Sequence, residues 1–142
     1  MKTALVIAAM ALTASTPPVL AAPRVALASD VFVERQADSG RVLQPASRLR
    51  PGDRVVTIVT WKRAAPGGGQ FTVTNPLPRA LQFEESADDS QDVSVDGGRT
   101  WGKIGSLRVG GRLAVPEDVT HVRWRVATPA PEGRIAYSAI VR

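Results

Sequence analysis

The sequence predicts an all-β antiparallel fold, and three observations carry the prediction. Apolar and β-branched residues recur with period two in several short runs. Glycine and proline, 12 and 11 of the 142 residues, fall between those runs rather than inside them. No window sustains the 3.6-residue period of an amphipathic helix. Short strands parted by such turns predict an immunoglobulin-like antiparallel β-sandwich of about seven or eight strands.

The chain opens differently. Lys2 precedes an apolar stretch over residues 4–12, then a polar, proline-containing segment leads to Val19-Leu20-Ala21. A charged start, an apolar middle and a small-residue cleavage site make residues 1–21 a secretory signal peptide. The apolar stretch is shorter than the roughly 20 residues a helical span requires, so no transmembrane anchor is expected. A second site, after Ala28, also satisfies the small-x-small rule through Ala26. Cleavage after Ala21 is preferred because Val25, Leu27, Val31 and Val33 then stay together as one face of a first strand. The remaining 22–142, roughly 120 residues, is the size of a single domain with its own core.

No cysteine is present, which excludes a disulfide framework and a lipid-modified cysteine alike. The formal charge of +5 comes from 15 arginines and 3 lysines against 13 acids. The arginines are spread evenly and do not interleave with aromatics, so no nucleic-acid partner is expected. Attraction to an acidic envelope polymer or lipid surface stays open.

Arg50-Pro51-Gly52-Asp53 supplies a turn, with proline fixing φ and glycine free to take positive φ. The run that follows, RVVTIVTWK over 54–62, carries Val55, Thr57, Val59 and Trp61 on one face and Val56, Ile58 and Thr60 on the other. Apolar or β-branched residues on both faces predict a central strand. Pro66 and the glycine triplet 67–69 make a flexible connection to a strand over 70–74, in which Phe71 and Val73 share a face. The triplet is no phosphate cradle, because no strand-to-helix step or GK[ST] accompanies it. Gly110-Gly111, between 107–109 and 112–115, is a two-residue hairpin signal. A short helical turn is allowed near residues 116–118. Residues 119–127 set Val122, Trp124 and Val126 against His121, Arg123 and Arg125, as a half-buried strand does. The closing run from Arg134 sets Ile135, Tyr137, Ala139 and Val141 against Arg134, Ser138 and Arg142. Pro131-Glu132-Gly133 is expected to join these last two strands as a hairpin.

Two segments bear on chemistry. Glu84, Glu85, Asp88, Asp89, Asp92 and Asp96 lie in one stretch without a basic residue. Clustered carboxylates can hold calcium, but the spacing matches no known calcium loop. An acidic mobile loop is therefore expected and no metal site assigned, with calcium binding by residues 84–96 left open. Within it begins Ser94-Val95-Asp96-Gly97-Gly98-Arg99-Thr100-Trp101, which fits the Asp-box pattern S-x-D-x-G-x-T-W at Ser94, Asp96, Gly98, Thr100 and Trp101. The physical logic is a tight hairpin: Asp96 accepts from nearby backbone N–H groups, Gly98 permits positive φ, and Trp101 packs beneath the turn. One copy cannot build a propeller of four or more blades, so a structural role is expected.

Catalytic groups are sparse. His121 is the single histidine, on the solvent face of its strand, and nothing around Ser94, Ser106 or Ser138 resembles a nucleophile elbow. No histidine pair suggests a metal. The sequence therefore assigns no catalytic residue, no cofactor and no enzymatic activity.

The run Arg50-Pro51-Gly52-Asp53-Arg54-Val55-Val56, followed by Phe71-Thr72-Val73-Thr74-Asn75-Pro76-Leu77-Pro78, resembles the conserved-repeat domain of unknown function of bacterial envelope and surface proteins. The likeness runs over residues 49–83, with Asn75 where that family often has Asp. It implies an immunoglobulin-like envelope domain and carries over no catalytic residue. The expected protein is thus a secreted or periplasmic non-catalytic module whose partner is an envelope protein or polymer. The alternative, suggested by the Asp-box and by Trp61, Trp101 and Trp124, is a carbohydrate-binding module or small glycan-directed enzyme. Nothing in the sequence fixes the oligomeric state.

Overall fold

A computed structural model describes residues 24–88 and 90–142. The expected signal peptide, residues 1–21, lies outside them. Among the described residues the chain is all-β, with ten antiparallel strands in three sheets and one 3-10 turn. The strands are β1 (Val25–Ala37), β2 (Gly40–Pro45), β3 (Arg54–Arg63), β4 (Phe71–Pro76), β5 (Leu81–Ser86), β6 (Gln91–Ser94), β7 (Arg108–Val109), β8 (Arg112–Leu113), β9 (His121–Val126) and β10 (Glu132–Val141). The sequence reading has no counterpart of β2, β5 and β6, which accounts for the excess over seven or eight.

The larger sheet runs β2-β1-β3-β10-β5, the smaller β4-β9-β6, and β7-β8 is a separate ribbon. β3 lies mid-sheet, as its two apolar faces predict. The turn before it places Gly52 at φ 87 and closes with a 3.0 Å bond from Asp53 N–H to the Arg50 carbonyl. Gly110 and Gly111, at φ 54 and 87, make the turn of the β7-β8 ribbon, and the 3-10 turn covers Pro116–Asp118.

The expected hairpin over Pro131-Glu132-Gly133 does not form. β9 pairs with β4 and β6, whereas β10 pairs with β3 and β5, so the chain crosses between sheets at this point. Glu132 and Gly133 are themselves strand residues. Turn chemistry fixes a change of direction and leaves open which strand receives the chain. Gly133 faces Trp61, and a Cβ there would stand 2.5 Å from the indole ring, which explains a glycine inside a strand.

Residues from both larger sheets form one core: Val33, Val55, Val59, Trp61, Leu81, Phe83, Ile135, Tyr137, Ala139 and Val141 from one, Val73, Val93, Val122, Trp124 and Val126 from the other. Trp124 and Tyr137 bridge them with ring centroids 5.5 Å apart. Numbering the main strands β1, β3, β4, β5, β6, β9 and β10 as first to seventh, the larger sheet reads first-second-seventh-fourth and the smaller third-sixth-fifth. The immunoglobulin order has first-second-fifth-fourth and third-sixth-seventh. The strand order therefore departs from the immunoglobulin one, with the seventh strand where that order has the fifth and the fifth where it has the seventh.

Candidate functional site

The acidic stretch is not one loop. Glu84 and Glu85 belong to β5 and Asp92 to β6, and each group meets its own partners. Asp88 accepts from the Ser90 N–H at 2.8 Å. Asp92 lies 3.4 Å from Arg123 and 3.5 Å from Lys103. Asp89 lies outside the described residues. Among those described, no three histidine, aspartate or glutamate side chains converge as metal ligands.

Glu84 and Glu85 converge on Arg54. Two consecutive strand residues ordinarily face opposite ways, but a register shift between β10 and β5 at Ser138/Ala139 leaves Glu84 as an extra residue. The bulge lets both carboxylates reach one guanidinium. Arg54 binds Glu84 at 2.5 Å, Glu85 at 2.6 Å and Glu34 at 2.7 Å, and the Ser138 hydroxyl donates to Glu84 at 2.8 Å. Burial works to raise the Glu84 pKa, but hydrogen bonds from Arg54 and Ser138 outweigh it and hold the carboxyl below its ordinary value. Ser138 is thereby buried, against the solvent-facing place its alternation predicts.

The Asp-box residues assemble around one carboxylate. Asp96 Oδ1 accepts from Ser94 Oγ at 2.8 Å, from Thr100 N–H at 2.9 Å and from Arg99 N–H at 3.1 Å. Oδ2 accepts from the Thr100 hydroxyl at 2.7 Å. The Ser94 hydroxyl in turn accepts from Gly98 N–H at 2.8 Å. Gly97 and Gly98 take φ 78 and 90, and Trp101 Nε1 donates to the Gly98 carbonyl at 3.0 Å. An isolated bridge between Val93 and Gly102 closes the loop on β6. The turn is also held to the start of β9, where Thr120 Oγ1 accepts from Gly97 N–H at 3.0 Å.

Trp101 is half-buried, with the Arg123 guanidinium 4.4 Å from its ring centroid and His121 edge-on at 6.4 Å. Arg123 Nε is buried without a hydrogen-bond partner among the described residues. The sequence reading missed this stack, although Arg123 and His121 share the polar face of β9 by alternation. His121 Nδ1 lies 3.1 Å from Thr120 Oγ1. Ser94 and His121 are register partners, yet the Ser94 hydroxyl donates to Asp96. Ser106 donates to the Lys103 carbonyl, and Ser138 belongs to the Arg54 cluster in the other sheet.

These bonds, led by the Thr100 backbone and hydroxyl and then Ser94, lower the Asp96 pKa from 3.8 to about 2. A carboxyl depressed on folding contributes stability that is complete above its unfolded value and lost as pH falls through its folded one. Asp96→Asn is therefore expected to be less stable than the parent near neutrality, with the difference narrowing from about pH 4 to about pH 2. Urea midpoints of the two proteins across that range check it; a constant difference would contradict an ionised Asp96 as the holder of the turn.

Comparison with family models, with curated proteins and with solved structures finds no match for this chain.

Proposed function

We propose that the chain is an exported, non-catalytic β-sandwich module of immunoglobulin-like build, with a structural or interaction role in the bacterial envelope or beyond it. The export signal over residues 1–21 supports the location, and the core shared by two sheets supports the sandwich, with a strand order that departs from the immunoglobulin one. The resemblance of residues 49–83 to the conserved-repeat envelope domain supports the setting.

The observation that carries the reading is the use made of the polar groups around Asp96. Ser94, Asp96 and Thr100 spend their hydrogen bonds on one another and on the turn backbone. A cluster so occupied shapes a hairpin and presents no free nucleophile or base. The glycan alternative has Trp101 in its favour, since Trp61 and Trp124 are buried in the core while Trp101 is half-buried. Arg123 stacks on that ring.

Crosslinking the tagged protein in its own cells is expected to capture an envelope protein or polymer. Recovery of no envelope component would count against the interaction role. Titration with envelope glycans is expected to leave tryptophan fluorescence unchanged; a saturable change would favour the glycan-binding alternative.

A further inference from the structure

β1 is 13 residues long, and its neighbours change along it. β3 pairs with it from Val25 to Val33, whereas β2 pairs only from Phe32 to Ala37. Among the described residues the flank away from β3 therefore has no strand partner from Val25 to Asp30. Alternation decides which groups lie on it. The Val31 carbonyl accepts from Ala46 N–H on the β2 side, and the Arg24 carbonyl accepts from Ala64 N–H on the β3 side. Odd-numbered Val25, Leu27 and Ser29 thus turn both N–H and C=O toward the open flank.

Unpaired strand edges are templates for another strand, and proteins usually blunt them with proline, lysine or a covering segment. Residues 25–30 contain neither residue type, and residues 26–30 are all exposed. Leu27 and Val31, 52% and 40% exposed, lie on the face that carries Val33 into the core. Arg24 and Asp30 are exposed and have no ion-pair partner among the described residues.

The segment is complementary to itself. Run antiparallel about a twofold axis at Leu27, it sets Leu27 opposite Leu27, Val25 opposite Ser29, Ala26 opposite Ala28, and Arg24 opposite Asp30 of the second copy. The odd residues fall on hydrogen-bonded positions, giving three pairs with two bonds each, about six in all. Two Leu27 side chains cover one another on one face. On the other, the small Ala26 and Ala28 leave room, and each Arg24 meets an Asp30. Centring the pairing on Ala28 instead would engage the Val31 carbonyl already bonded to Ala46, and centring it on Ala26 would leave both charges unmatched.

We infer that two copies of this chain associate through residues 24–30 of β1, joining their larger sheets into one continuous antiparallel sheet. Self-association at this edge is independent of what the module binds in the envelope. The interface is small, so the dimer belongs to the weak, concentration-dependent class.

Sedimentation velocity over a concentration series tests this on the purified exported protein, with its intact mass fixing the first residue. A monomer–dimer equilibrium is expected. Arg24→Glu and Asp30→Arg are each expected to weaken it about tenfold or more by setting like charges opposite one another, and the double variant to restore it. Leu27→Pro is expected to abolish it while leaving the circular dichroism of the monomer unchanged, since the Leu27 N–H points away from β3. A monomer at every concentration would overturn the inference. So would a dimer indifferent to the charge reversals, or a mature chain beginning at Ser29.

Discussion

Trp124→Ala is expected to destabilise the protein by about 3–5 kcal/mol, the upper range for truncating a buried aromatic. The indole is fully buried at the centre of β9, the middle strand of the smaller sheet. It packs on Tyr137 of the opposite sheet and donates from Nε1 to Ser86 Oγ at 2.9 Å. Removing it empties the junction of the sheets and takes away one of the two donors to the Ser86 hydroxyl, the other being the Asp88 N–H at 3.2 Å. Against a total of about 5–15 kcal/mol for a domain of this kind, much of the stability is lost. Trp124→Phe restores part of the ring volume but not the donor, and is expected to recover about half of the deficit. Urea midpoints of the three proteins check both values. A shift under about 1 kcal/mol for the alanine variant would contradict the placement of this ring between the sheets.

Arg63→Met is expected to cost about 3 kcal/mol, although it keeps an apolar stem of similar length. Arg63 ends β3 and is only 8% exposed. Its guanidinium donates to the carbonyls of Thr128 at 2.8 Å, Gly69 at 2.9 Å and Ala130 at 3.1 Å. It also sits 4.8 Å from the Phe71 ring centroid and 5.6 Å from that of Trp61. The three carbonyls belong to the connections before β4 and before β10, which leave the larger sheet and return to it. One planar fork therefore fastens both crossovers, beside the 2.8 Å backbone bond from the Arg63 N–H to the Pro131 carbonyl. Arg63→Lys keeps the charge but not the fork and is expected to recover less than half of the loss. Hydrogen exchange localises the effect: faster exchange is expected around residues 69–70 and 128–130, and uniform acceleration would point to a general loss of packing instead.

The parts of the fold legible in the sequence are those where one residue pattern has one physical meaning. Val55, Thr57, Val59 and Trp61 point inward because alternation admits no other strand geometry, and Gly110-Gly111 turns because positive φ is cheap only for glycine. The acidic stretch was harder because its compensating charges are remote in sequence. Glu84 and Glu85 look like loop residues until Arg54, 30 and 31 positions earlier, is placed beside them. The same holds for Asp92, whose partner Arg123 is 31 positions away. For the Asp-box the residue types name their own partners within a few positions, so its hydrogen bonds could be anticipated; the Arg123 stack on Trp101 could not. The supposed hairpin over Pro131 fails for a related reason. The signal for a turn is local, whereas the choice of sheet is made by the core, where Trp124 meets Tyr137 of the other sheet.

The place of β10 in the larger sheet bears on the order in which the strands can pair. β10 lies between β3 and β5, although every other strand precedes it in the chain. β3 and β5 have no partner in common except β10, and most of the contacts that close the larger sheet are long in sequence. Such non-local pairing is expected to slow folding. Truncation within 132–141 therefore removes the middle of a sheet rather than its fringe.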